Sequence, residues 1–150
     1  MKFRPLTTYR GGLPHWRLDG VVYFVTWRLS KSQFDLSPPE KSAVLETIMY
    51  SENRDFLLYA YVIMNDHVHV LVQPNENKSL EKIIHSWKSY SARRLQADFR
   101  RLNRVWQREY FDRIVRNDEE FTEKSGYILN NPLRRWPEIE RYDWVGWGQH

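Results

Sequence analysis

Two histidines, His67 and His69, stand two positions apart in the sequence, with Val68 between them. In an extended strand, residues two apart project from the same face, so both imidazoles would reach one point. Such a pair can bind one divalent metal ion. Two nitrogen ligands leave a hard ion such as Mg²⁺ or Mn²⁺ short of donors, so we expect an oxygen ligand and open positions for water or phosphate. Taken alone, the pair is equally compatible with a partly exposed sheet surface that binds no ion.

A tyrosine and an asparagine, Tyr127 and Asn131, lie four positions apart near the end of the chain. On a helix this spacing places both side chains on one face, one turn from each other. The amide oxygen of Asn131 could complete a metal site, and Tyr127 would then lie close to the ion. Each residue also has an ordinary interpretation, because Asn before Pro commonly ends a helix and aromatic residues are mostly packing residues.

The pattern around these residues predicts a single domain spanning residues 1–150 with four strands and three helices. The strands are expected at 21–29, 56–64, 68–73 and, less regularly, 105–115. Helices are expected after Pro38, after Ser79 and after Asn117, the last with Glu120 in a capping box and with Pro132 at its end. This order predicts an α+β fold, a ferredoxin-like split βαβ unit with a mostly antiparallel sheet of four to five strands and an appended C-terminal helix.

Composition and charge narrow the function classes. The chain has no cysteine, which excludes disulfides, thiolate metal sites and cysteine nucleophiles. Its apolar runs are too short to cross a membrane and its N-terminus does not resemble a signal peptide, so we expect a cytoplasmic protein. Residues 85–116 contain nine basic and three acidic side chains, which suits a phosphate-rich partner, although a solvated helix face is the simpler alternative. The candidate contacts to such a partner, a nucleic acid, are Lys88, Ser89, Arg93, Arg94, Arg100, Arg101, Arg104, Arg113 and Arg116.

Taken together and in order, these motifs resemble the REP-associated tyrosine transposases, a branch of the single-tyrosine HUH transposase family. The matching segments are residues 13–16, 23–29, 62–72, 87–92, 105–116 and 127–132. Two stretches depart from the family pattern. Asn65 and Asp66 precede His67 where relatives often have Pro-Asn, and residues 133–136 (Leu-Arg-Arg-Trp) replace a small-residue-Gly-Leu stretch.

The resemblance implies a metal-dependent endonuclease and strand transferase that acts on single-stranded DNA with hairpin, REP-like structure. It implies that Tyr127 is the nucleophile and forms a 5′-phosphotyrosine. It further implies that His67 and His69 bind Mg²⁺ or Mn²⁺ with Asn131 in the position of the third ligand, and that the protein acts as a monomer or homodimer.

Two alternatives remain open at this stage. One is a catalytically silent module that binds nucleic-acid hairpins, which the basic stretch supports equally. The other is a metal-dependent nuclease that uses water, with Tyr127 in a structural role. Binding alone needs none of the four chemical residues, so their joint presence favours catalysis, and a covalent protein–DNA adduct would separate the three functions.

Overall fold

Residues 20–148 are described by the structure, a computed structural model, and follow the predicted order of strands and helices. Their elements are β1 (Val22–Arg28), α1 (Pro38–Met49), β2 (Phe56–Ile63), β3 (His67–Pro74), α2 (Leu80–Phe99), β4 (Phe111–Val115), α3 (Asp118–Leu129), α4 (Asn131–Arg135) and β5 (Val145–Trp147). The segment 13–16 of the family resemblance lies outside the described residues. Among the helices of this described part, none combines the length and apolar character needed to cross a bilayer.

The strands form one open sheet in the order β4-β1-β3-β2-β5, and all four pairings are antiparallel. The order of the first four strands is the one expected when two βαβ halves interleave, because each crossover helix skips one strand. β5 extends the sheet beyond β2. The predicted α+β, ferredoxin-like fold is therefore confirmed.

The two faces of the sheet bury different sets of residues. On one face, Trp27 and Val70 pack with the apolar sides of α1 and α2. We call this the α1/α2 face. On the other, Phe24 and Leu71 pack with Phe121 of α3, and we call this the α3 face. Because side chains alternate along β1 and β3, even-numbered positions of β1 and odd-numbered positions of β3 point toward α3.

The starts of the helices follow their capping chemistry. Asn117 caps α3, since its side-chain oxygen accepts from the Glu120 backbone N–H at 2.8 Å. The Glu120 carboxylate, however, accepts a hydrogen bond from Arg113 of β4 at 3.1 Å instead of completing the predicted capping box. A complete capping box is found at α1, where Ser37 and Glu40 bond each other reciprocally.

Two predicted boundaries are wrong. The strand expected at 105–115 is paired only over β4, because the segment before it is held as a loop against the end of β1. Trp106 is buried there and donates to Ser91 Oγ at 2.8 Å. Pro132 does not end the α3 helix but lies in the first turn of α4, after a break at Asn130. Proline suits that position because the first turn leaves its backbone nitrogens unbonded in any case.

Arg101 was predicted to contact phosphate, and the structure contradicts this because its side chain is fully buried. Its guanidinium bonds the Glu40 carboxylate, with 2.9 Å between Nη2 and Oε1, and donates to the carbonyl oxygens of Phe34 and Asp35. Burial alone would raise the pKa of Glu40, but the bonds from Arg101 and Ser37 hold it below the ordinary value. Arg101 therefore ties the segment after α2 to the start of α1.

Lys88, another predicted phosphate contact, is also engaged within the protein. Its amine donates to the backbone oxygens of Gln107 at 2.7 Å and Arg108 at 2.8 Å. Burial lowers the pKa of Lys88, and the nearby Arg104 acts in the same direction. This lysine holds the loop that precedes β4.

Replacing Arg101 by alanine should destabilise the fold strongly, since it would leave Glu40 buried without its charged partner. We expect the free energy of unfolding to fall by about 3–5 kcal/mol. Arg104, exposed in the same loop, is the matched control, and Arg104→Ala should change stability by less than about 0.5 kcal/mol. Urea unfolding followed by tryptophan fluorescence measures both. Equal effects of the two substitutions would contradict a structural role for Arg101.

Candidate active site

The two histidines lie at the start of β3 and face α3. In the pairing of β1 with β3, Thr26 is opposite His69 and Arg28 is opposite His67. The imidazole centroids are 4.8 Å apart, with their planes nearly perpendicular. The predicted placement on one face of a strand is what the structure has.

Each imidazole is held through its Nδ1 atom. His69 Nδ1 lies 2.7 Å from Thr26 Oγ1, and His67 Nδ1 lies 2.7 Å from Asp66 Oδ1. The Asp66 carboxylate can only accept, which favours a proton on His67 Nδ1; where the Thr26 hydroxyl accepts in the same way, each Nε2 keeps its lone pair for a ligand. His69 Nε2 is buried and has no hydrogen-bond partner within residues 20–148. A buried ring nitrogen without a partner suits metal coordination, which would satisfy its lone pair.

Both rings are held in the neutral state that a metal ligand requires. Burial lowers the pKa of His69 to about 3. The neighbouring His67 and the guanidiniums of Arg28 and Arg134 act in the same direction. Burial also lowers the pKa of His67, although the Asp66 carboxylate partly opposes this.

Tyr127 projects from α3 toward the same place. Its ring packs edge-on against His69, with 5.3 Å between centroids, and against Phe24 at 5.9 Å. Phe24 in turn stacks on His69 at 5.4 Å. Tyr127 remains 42% exposed, so its phenol is open to a ligand. The guanidinium carbon of Arg134 lies 4.3 Å from the Tyr127 ring centroid.

Asn131 is buried and is the first residue of α4. The sequence predicted that Tyr127 and Asn131 share one helix. This is wrong, because a break at Asn130 separates Asn131 from α3. Within residues 20–148, no three His, Cys, Asp or Glu side chains are grouped so that they could hold an ion. An ion bound by the two imidazoles would therefore need oxygen donors such as the Asn131 amide, solvent or substrate. Two imidazole nitrogens completed by oxygen donors form a mixed set that could hold one divalent cation.

A cavity of about 740 Å³ opens beside His69 and Tyr127. Two cationic side chains line it, Arg28 from β1 and Lys124 from α3, together with one acidic residue, Glu109. The Lys124 amine lies 5.2 Å from the Phe24 ring centroid. The remaining lining residues are Phe24, Thr26, Trp27, His69, Gln107, Tyr110, Phe111 and Tyr127.

Sequence reasoning missed several residues that build this site. Strand alternation places Phe24, Thr26 and Arg28 on one face, but nothing local shows that this face meets the histidines. Lys124 was within reach of prediction, because it stands three positions before Tyr127 on the same helix. Arg134 carried no such signal, since its position depends on the break between α3 and α4.

The predicted DNA contacts are divided by the sheet. Arg93 and Arg94 are on α2, which covers the α1/α2 face, away from the histidines. Arg94 pairs with Glu46 at 2.9 Å. Arg113 lies opposite Phe24 in the sheet and bonds Glu120. Of the others, Ser89 is half-buried on α2, and three are exposed outside the helices and strands: Arg100, Arg104 and Arg116.

Replacing Thr26 by valine keeps the shape of the side chain but removes the hydroxyl that fixes His69 Nδ1. We expect the affinity for Mn²⁺ to fall about 10- to 100-fold, because the ring loses the hydrogen bond that fixes its orientation. Titration calorimetry of the DNA-free protein measures this. Thr47→Val is the control, since the Thr47 hydroxyl bonds only the Ala43 carbonyl within α1, and it should bind Mn²⁺ like the wild type. Unchanged affinity in Thr26→Val would contradict the proposed role of His69.

Comparison with known proteins relates this chain to a family of transposases. A protein of Haemophilus influenzae described as a REP-associated tyrosine transposase is 29% identical, over 63% of this chain and 70% of that protein. The structure of a REP-associated tyrosine transposase bound to a REP hairpin covers 84% of this chain and 74% of its own, with a TM-score of 0.66 and 19% identity. A structure described as a transposase from Deinococcus radiodurans covers 81% of this chain and 94% of its own, with a TM-score of 0.54 and 20% identity.

The two solved structures show a shared fold, and the resemblance inferred from the motifs is confirmed. The model of the family described as "Transposase IS200 like" matches residues 28–131, which include β1's last residue, the histidine pair, Tyr127 and Asn131. This chain belongs to the IS200-like transposase family.

Proposed function

We propose that this protein is a metal-dependent enzyme that cleaves and rejoins single strands of hairpin-bearing DNA through a covalent bond to Tyr127. One observation carries the proposal. A buried imidazole nitrogen without a partner, His69 Nε2, and the exposed phenol-bearing ring of Tyr127 share one face of the sheet, with 5.3 Å between the ring centroids. Membership in a transposase family and a fold shared with a REP-hairpin-bound relative support DNA as the substrate.

The difficulty in the reaction is electrostatic, because the negative charge of a phosphodiester repels a nucleophile. A divalent cation held by His67, His69 and Asn131 would offset the charge that grows on the non-bridging oxygens. Arg28 and Lys124, which line the same cavity, add positive charge where the phosphate would lie.

The bond exchange conserves the phosphodiester energy. The Tyr127 oxygen bonds to phosphorus and loses its proton to water in the open cavity. The bond between phosphorus and the 3′ oxygen breaks, and the 3′ oxygen takes up a proton and leaves as a hydroxyl. The 5′ end remains on the tyrosine, and attack by the 3′ hydroxyl of another strand reverses the step and joins the strands.

Single-stranded DNA needs surfaces for bases as well as for phosphates. Phe111, at the start of β4, is 56% exposed and lines the cavity. Its ring packs edge-on against Phe24, with 6.4 Å between centroids, and this contact helps to hold the Phe111 ring in place. An exposed, supported aromatic ring beside a cationic wall is a typical platform for an unpaired base.

Tyr127→Phe tests the covalent step, since it removes only the nucleophilic oxygen. Wild-type protein incubated with labelled REP-type hairpin DNA and Mn²⁺ should give an adduct that survives denaturing electrophoresis, and Tyr127→Phe should give none. Tyr90→Phe, which alters an exposed tyrosine on α2, is the control and should form adduct normally. Cleavage that persists in Tyr127→Phe would favour a water-using nuclease. Binding without cleavage by the wild type would favour a hairpin-binding module.

The path of the DNA can be read from the salt dependence of binding. If the strand crosses the cavity, Lys124→Gln should flatten the plot of log affinity against log salt by about 0.7 per lost phosphate contact. Arg93→Gln, on the α1/α2 face, should leave the slope unchanged. Both are measured in the Tyr127→Phe background so that no DNA is cleaved. The opposite outcome would place the DNA along α2, where the sequence predicted it.

A further inference from the structure

We infer that Arg134 is a substrate-contacting residue of this site, which holds the Tyr127 ring and binds a non-bridging oxygen of the phosphate that Tyr127 attacks. The inference rests on the proposed function. It concerns a residue in the stretch 133–136, where the sequence departs from the pattern of the family it resembles.

Arg134 contacts Tyr127 in two ways at once. Its guanidinium carbon lies 4.3 Å from the centroid of the Tyr127 ring. Its Nη2 atom also donates to the Tyr127 backbone oxygen at 2.8 Å. A planar guanidinium can stack and donate at the same time, whereas a lysine amine has no plane to stack. The two contacts fix the orientation of the guanidinium relative to the phenol ring.

The break between α3 and α4 produces this contact. The Arg134 backbone nitrogen donates to the Asn130 oxygen at 3.0 Å, which makes Arg134 part of the first turns after the break. α4 starts at Asn131 with Pro132 in its first turn. Its direction lets the Arg134 side chain reach the Tyr127 backbone oxygen in the last turn of α3. The neighbouring Arg135 instead lies over Trp136, with 5.2 Å from its guanidinium carbon to that ring.

Arg134 keeps donors and charge available for an anion. A guanidinium has five N–H groups, and in its contacts with residues 20–148 Arg134 uses one of them, on Tyr127. No carboxylate in the described range 20–148 forms an ion pair with it. The guanidinium therefore lies against the ring that carries the nucleophilic oxygen, with N–H groups left to bind an anion.

An anion placed there would be the phosphate of the cleaved bond. Arginine pairs with phosphate through two parallel hydrogen bonds, which fix both distance and angle. A donor that is already oriented when the phosphate arrives stabilises the charge that develops during attack, without having to reorganise. Arg134 would therefore act mainly on the rate of the covalent step, through the same guanidinium that orients the phenol.

The test compares Arg134→Ala with Arg135→Ala, an adjacent and exposed arginine on the same short helix. Single-turnover formation of the covalent adduct is followed with REP-type hairpin DNA and Mn²⁺. We expect Arg134→Ala to slow adduct formation about 100-fold, with a smaller change in the DNA concentration that gives half the maximal rate. Arg135→Ala should stay close to the wild type.

Chemical rescue distinguishes a direct role from a structural one. Guanidinium ion at low millimolar concentration should restore part of the rate in Arg134→Ala and leave the wild type unchanged. Arg134→Lys keeps the charge but loses the stack, and it should be intermediate. A loss that guanidinium does not reduce would show a structural effect and overturn the inference.

The outcomes also separate this inference from the proposed function. If the wild type forms adduct and the two alanine variants behave alike, the role of Arg134 is refuted while the proposed function stands. If the wild type forms no adduct with hairpin DNA, the proposed function fails and the inference fails with it.

Discussion

Antiparallel pairing of β1 with β3 is the constraint on which the rest of the site depends. The register sets Thr26 opposite His69, so the hydroxyl that orients the imidazole comes from a different strand than the imidazole itself. A slip of one residue would turn His67 and His69 to the α1/α2 face, into the core that contains Trp87. The register is secured because such a slip would exchange these polar side chains with the apolar residues Val25, Trp27, Val68 and Val70, which now fill the core on the α1/α2 face.

The second constraint is the way the chain leaves the sheet and returns to it. α3 buries Phe121 and Ile128 against the sheet, and this packing fixes the side of the helix from which Tyr127 projects. The break at Asn130 then lets the chain change direction within one turn. Asn131 and Arg134 follow within four residues. The side chains of Tyr127, Asn131 and Arg134, which differ in chemistry, therefore all lie near the turn that joins α3 to α4.

Much of the fold and part of the site could be predicted from local patterns. The two-residue period of a strand was enough to put His67 and His69 on one face, and the N-caps Ser79 and Asn117 were correct. The family motifs pointed to Tyr127, which does pack against His69. These features depend on residues close in sequence, where propensity and periodicity carry information.

The errors share a physical cause, which is that the partner lies far away in the sequence. Arg101 looked like a surface cation because its partner, Glu40, stands 61 positions earlier. Arg93 and Arg94 were predicted to contact DNA because α2 is basic; α2 covers the side of the sheet away from the histidines, which the crossover connection sets, and their contact with DNA stays a prediction. Local charge density identified a basic segment but could not show which way it faces.

Phe24 packs against both the proposed metal ligand His69 and the proposed nucleophile Tyr127. Its ring contacts both His69 and Tyr127, which also contact each other, while the Lys124 amine lies over the ring and Phe111 packs edge-on against it. A change in the size of this one side chain would move the ion-binding group and the nucleophile together. In related sequences, a substitution at this position is therefore expected to be accompanied by changes around both His69 and Tyr127, because it cannot shift one of these side chains while the other stays fixed.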